Sequence, residues 1–130
     1  MEENMNKMKE ERKKIINSFK YAFEGIKSSL RTERNMKIHF SMMILVIVAG
    51  ILLDISTYEW MICIILFGMV IGGELVNTAI EEVTDLVTTE INPKAKLAKD
   101  IAAGAVLIMA ITSAIIGFII FIPKIVLLFK

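Results

Sequence analysis

The segment Glu74–Asp85 carries four acidic side chains and one asparagine, yet it directly follows a long apolar run. A helical residue turns by about 100°. If this segment is helical, one face about 80° wide carries four of its polar residues. They are Glu74, Asn77, Glu81 and Asp85. We call this face the acidic stripe. Charged groups at membrane depth are costly, so the stripe predicts a functional site.

The oxygen atoms of the acidic stripe are the ligands that Mg²⁺ prefers, together with water and substrate phosphates. Lys96 and Lys99 follow in the sequence and could neutralise phosphate oxygens. Such a set suits phosphoryl transfer, which needs positioning, charge neutralisation and a base for the acceptor. The sequence has neither a Walker A motif nor a kinase glycine loop. A nucleotide site must therefore be built from the acids and lysines alone.

Two other functions fit the same acidic residues. Chains of Asp and Glu mark proton or cation pathways in membrane proteins, and a polar helix face can also serve a non-catalytic scaffold or oligomer interface. The single Cys63 and the single His39 exclude a Cys/His zinc site and a Cys/His nucleophile pair. We interpret His39 as a packing residue at the membrane interface rather than as a catalytic group.

The elements that must position the stripe are those of an all-α membrane protein. The chain has 130 residues, enough for one domain, and 55% of them are hydrophobic. We predict a polar segment over 1–13, a membrane domain over 14–123 and a tail over 124–130. Within the domain we predict a basic amphipathic surface helix over 14–31 and membrane helices over 35–53, 59–88 and 95–122. The small residues Gly68 and Gly72 predict close helix packing.

The charge distribution predicts the topology. Ten of the fifteen Lys and Arg residues precede residue 38, whereas the segment 54–59 has none. The positive-inside rule therefore predicts a cytoplasmic N-terminus and an external C-terminus. The acidic stripe then reaches the cytoplasmic boundary of the membrane. No long basic tract is interleaved with aromatic residues, so nucleic acid is not an expected partner.

Two motifs make the chain recognisable. They read Glu74-x-x-Asn-Thr-Ala-Ile-Glu-x-x-x-Asp85 and Ala98-Lys-Asp-x-Ala-Ala-Gly-Ala-Val106. Together they resemble the bacterial integral-membrane diacylglycerol kinase family, and the resemblance covers roughly residues 15–122. The segment Glu33-Arg-Asn-Met-Lys-Ile-His39 is similar to the Gram-positive branch, which acts mainly as undecaprenol kinase.

The resemblance implies a homotrimer that uses Mg²⁺ and ATP to phosphorylate a membrane lipid alcohol, with sites between protomers. The lipid would be undecaprenol, or alternatively diacylglycerol. Glu74 would be the general base, and Asn77 would position the substrate and the base. Glu33 and Glu81 would bind Mg²⁺. The remaining residues expected to contact the nucleotide are Lys14, Tyr21, Asp85, Lys99 and Asp100. Asn92 stands where many relatives have His, which weakens any role for that position.

Overall fold

A computed structural model describes residues 1–129, and it is entirely helical apart from short connections. The four helices are α1 (Glu2–Thr32), α2 (Arg34–Leu52), α3 (Thr57–Val87) and α4 (Pro93–Leu128). In length and composition, α2, α3 and α4 can each cross a membrane. The predicted all-α architecture with three apolar helices is therefore confirmed.

The chain divides into two compact units, and the first of them is α1. This helix begins at Glu2 and runs through the segment up to residue 13, where the sequence predicted a polar segment before the surface helix. Its large apolar side chains are exposed, including Ile15, Phe19 and Phe23. The location of α1 on a membrane surface stays a prediction.

The second unit begins at Glu33 and holds the three long helices. A tight turn joins α2 to α3. The amide of Ile55 donates to the carbonyl of Gly50 at 3.1 Å, which is the Schellman pattern, and Asp54 takes the left-handed position with φ 49°. The next helix starts with a capping box. The Glu59 amide donates to Ser56 Oγ, and the Ser56 amide donates to Glu59 Oε2 at 2.7 Å.

The connection between α3 and α4 lies at the other end of the bundle. Asn92 caps α4, since its Oδ1 accepts from the amide of Lys94 at 2.9 Å, and Pro93 occupies the first helical turn. The sequence predicted this helix to end at residue 122, before Pro123, but the helix continues through Pro123 to Leu128. Lys124 lies 3.0 Å from Glu59 Oε2, so an ion pair joins α4 to the start of α3.

The hydrophobic core lies near the tight turn. Ile55, Cys63 and Ile120 are buried together, with Trp60 and Phe67 packed against them. A Cβ atom added at Gly50 would lie 2.8 Å from the Trp60 ring, so α2 approaches α3 closely at this position.

Gly73 gives α3 a similar close contact with α4. A Cβ atom added there would lie 2.7 Å from Met109 Sδ. Gly68 and Gly72, the pair expected to pack helices together, have nothing within 4 Å of an added Cβ atom. Within the described protomer, the neighbouring Gly73 therefore makes the close contact instead.

Replacing Gly50 with Ala is expected to destabilise the bundle relative to Gly104→Ala, since an added Cβ atom at Gly104 has nothing within 4 Å. Both changes add one methyl group to a helix and gain the same helix propensity, about 1 kcal/mol. Only the methyl group at position 50 meets the Trp60 ring, and overpacking costs about 1–3 kcal/mol. The midpoint of thermal unfolding in detergent should therefore be lower for Gly50→Ala. Equal midpoints would contradict this packing.

Candidate active site

A buried carboxylate forms the centre of the candidate site. Glu74 in α3 is 2% exposed. His39 of α2 faces it, with Nε2 3.2 Å from Glu74 Oε1. A buried carboxylate requires a hydrogen-bonding partner, and the imidazole provides one from the neighbouring helix. The sequence predicted the position of Glu74 on the stripe but not this partner.

Asn77 lies one helical turn after Glu74 and is also buried. Its Nδ2 donates to Glu81 Oε1 at 2.9 Å, so two members of the acidic stripe are bonded to each other. The second amide atom, Oδ1, is buried without a hydrogen-bond partner among the described residues. Buried acceptors of this kind are rare, and an absent water, ion or ligand is a common explanation.

These side chains line a cavity of about 370 Å³, which we call the polar pocket. Helices α2 and α3 supply its polar residues, and α4 closes it with apolar side chains. The lining residues are Asn35, Ile38, His39, Glu74, Asn77, Glu81, Ala103, Val106, Leu107 and Ala110.

A larger cavity of about 570 Å³ adjoins the polar pocket, and we call it the apolar groove. All three long helices line it, with residues such as Val46, Phe67 and Phe121. Ile38, His39 and Ala110 line both cavities. The apolar groove is therefore continuous with the pocket that contains Glu74.

An ion pair lies further along the acidic stripe. Lys99 Nζ of α4 is 2.5 Å from Asp85 Oδ1 of α3. Asp85 is one helical turn beyond Glu81, or about 6 Å along the axis. The helix pairing thus brings together the two motifs that the sequence analysis singled out. Asp100 pairs with Lys96 on the same helix and is exposed.

Three other predicted site residues do not line the polar pocket. Glu33 precedes α2 as its N-cap, and its side chain makes no capping hydrogen bond. Lys14 and Tyr21 lie on α1 in the other compact unit, where both are exposed. Their assignment to the nucleotide stays a prediction.

The profile of a known family, prokaryotic diacylglycerol kinase, matches residues 20–121 of the chain. The chain belongs to this family. The kinase is 46% identical to undecaprenol kinase of Bacillus subtilis (strain 168), over 85% of its own length and 90% of the relative. It is 38% identical to a diacylglycerol kinase of Synechocystis, covering 84% of the chain and 63% of the relative. A diacylglycerol kinase of Pseudomonas aeruginosa is 33% identical, over 72% and 76% of the two chains.

Family membership confirms the prediction of a membrane lipid kinase and decides against the ion pathway and the non-catalytic scaffold. Phosphoryl transfer to a lipid requires a nucleotide and a divalent cation. Among residues 1–129, no three acidic, His or Cys side chains come together as a metal site. One or two carboxylates with phosphate oxygens can hold such a cation. The unpaired Asn77 Oδ1 beside the Glu81 carboxylate fits a hydrated cation bound in this way.

His39 is the residue of the candidate site that sequence reasoning missed. The sequence favours a packing role for it, whereas the structure shows it in contact with the most buried acid of the candidate site. A signal existed in the tight turn between α2 and α3. Counted from that turn, His39 lies about 20 Å along α2 and Glu74 about 26 Å along α3, which places them within about one helical turn of each other in depth.

Proposed function

We propose that the kinase transfers the γ-phosphate of ATP to undecaprenol and forms undecaprenyl phosphate at the cytoplasmic face of the bacterial cell membrane. The observation that carries this proposal is the buried Glu74 in a polar pocket that shares three lining residues with an apolar groove. That arrangement suits a long-chain alcohol. The 46% identity to the Bacillus subtilis enzyme favours undecaprenol over diacylglycerol.

Glu74 is the proposed general base. Its carboxylate takes the proton of the lipid hydroxyl while the hydroxyl oxygen forms a bond to the γ-phosphorus. The bond between that phosphorus and the β–γ bridging oxygen breaks, and ADP leaves with the electron pair. The Nδ2 group of Asn77 keeps Glu81 in place through a hydrogen bond. Glu81, the acid assigned to the nucleotide end, is thereby held apart from Glu74, the base.

The nucleotide end of the site lies toward Asp85 and Lys99. Lys99 is placed to exchange its Asp85 partner for a phosphate oxygen, because both lie at the end of the stripe beyond Glu81. Glu33 and Glu81 would hold Mg²⁺, whose charge offsets that of the phosphates when it is bound. Asp100 would shape the nucleotide pocket. Lys14 and Tyr21 are proposed as nucleotide contacts on the family resemblance alone.

The proposed assembly is a homotrimer with sites between protomers. One observation supports a further copy. Gly68 and Gly72 leave a surface that admits close approach of another helix. Native mass spectrometry, which counts protomers, tests the trimer.

The proposed orientation places the N-terminus in the cytoplasm and the C-terminus outside. Lys124 lies near the proposed external end, where the positive-inside rule disfavours cations. Its charge is paired with that of Glu59, so it does not count against this orientation. The acidic stripe then ends on the side where ATP is available.

A side-by-side lipid assay tests the proposed activity. The purified kinase in lipid vesicles should transfer labelled phosphate from ATP and Mg²⁺ to undecaprenol with a higher kcat/KM than to diacylglycerol. A chelator should stop the transfer, and Glu74→Gln protein provides the matched blank. A higher kcat/KM for diacylglycerol would contradict the assignment of undecaprenol and make diacylglycerol the preferred substrate. Transfer to neither lipid would refute the kinase proposal for this chain.

A further inference from the structure

The contact between His39 and Glu74 joins two helices at the centre of the site. The distance between Nε2 and Oε1 is 3.2 Å, and the two side chains are 22% and 3% exposed. The carboxylate is thus almost fully enclosed, while the imidazole retains one accessible edge. A hydrogen bond in such surroundings is strengthened by the low local dielectric.

His39 also marks the boundary between the two cavities. Of the three residues that line both, Ile38 and Ala110 are apolar and His39 is polar. An alcohol whose chain occupies the apolar groove must therefore pass His39 to reach Glu74. The imidazole therefore borders the route of the alcohol as well as Glu74, unlike a side chain that only fills the core.

The surroundings of the pair leave His39 as the donor that fixes Glu74. The other charged residue lining the polar pocket is Glu81, which accepts from Asn77. Asn35 lies on α2 with His39, and α4 contributes only apolar side chains to the pocket: Ala103, Val106, Leu107 and Ala110. An ionised carboxylate only accepts hydrogen bonds, so His39 Nε2 must carry the hydrogen.

We propose that His39 is a positioning residue for the general base, an inference that rests on the proposed role of Glu74. The Nε2–H group holds Oε1 and leaves Oε2 to take the proton of the lipid hydroxyl. The alcohol oxygen then bonds to the γ-phosphorus as the bridging bond to ADP breaks. The proton ends on Oε2, while Oε1 still accepts from His39.

The experiment compares two amide substitutions. The amide nitrogen of Gln reaches the position of the imidazole Nε2, whereas the shorter Asn reaches only that of Nδ1. His39→Asn is therefore expected to lower kcat about 10- to 100-fold, the effect of a misplaced reacting group. His39→Gln should recover most of that loss. KM for ATP should stay unchanged in both, and matching thermal midpoints show that both variants fold.

The outcomes separate this inference from the proposed function. Equal kcat for Asn and Gln variants, whether both normal or both reduced, would overturn the positioning role. So would a loss confined to KM or to the thermal midpoint. If Glu74→Gln is inactive while both His39 variants are fully active, only the inference fails. If Glu74→Gln keeps full activity, the proposed base fails and the role of His39 fails with it.

Discussion

Glu74→Gln is expected to reduce phosphate transfer by about 10²- to 10⁴-fold, the usual contribution of a general base. Gln has nearly the same shape and can still accept a hydrogen bond from His39, but it cannot take a proton from the alcohol. The rate of lipid phosphorylation at saturating ATP measures the loss. Because the contact with His39 can persist, the thermal midpoint should change little.

The matched control is Glu82→Gln, which makes the same chemical change on the same helix. Glu82 is exposed and lies off the acidic stripe, so this variant should keep its activity. If the two variants lose activity equally, the loss follows from the change in helix charge, and Glu74 is not the base.

Lys99→Met is expected to lower kcat/KM for ATP by roughly 10- to 100-fold. A hydrogen bond to a charged group contributes about 1.5–3 kcal/mol, and each 1.4 kcal/mol is tenfold in affinity. Met keeps the length and apolar stem of Lys but cannot pair with phosphate. Asp85 loses its partner, but it is 63% exposed, so the free energy of unfolding should fall by less than about 1 kcal/mol.

Lys94→Met is the control for Lys99→Met, because it removes the same charge from the same helix. Lys94 is exposed in the first turn of α4. Steady-state kinetics with ATP varied should show a much smaller change for this variant. Equal effects of both substitutions on kcat/KM would indicate a general loss of positive charge rather than a specific phosphate contact.

The sequence predicted the parts of the site that lie on one helix. Regular helical geometry places Glu74, Asn77 and Glu81 on one face, and the structure adds a direct hydrogen bond between the last two. The pairing of Asp85 with Lys99 required the antiparallel packing of α3 and α4, although both residues were already singled out. Periodicity within a helix is thus a strong guide, because it depends only on the local backbone.

The features that the sequence did not reveal depend on contacts between helices. His39 becomes part of the site only through the packing of α2 against α3. Gly68 and Gly72 carried the expected packing motif, but the adjacent Gly73 meets Met109. Pro123 also failed to end α4. Residue type alone does not determine which neighbouring helix a given face contacts. The role of each of these residues depends on that contact.

The tight turn between α2 and α3 has a mechanical consequence. The Schellman pattern, the capping box and the pair of Glu59 with Lys124 all lie at that end of the bundle, as does the buried core around Cys63. Local opening requires least free energy where few such contacts must break. The three helices are therefore anchored at the end remote from the candidate site. A small separation of their other ends, around Glu74 and Lys99, would break none of these contacts.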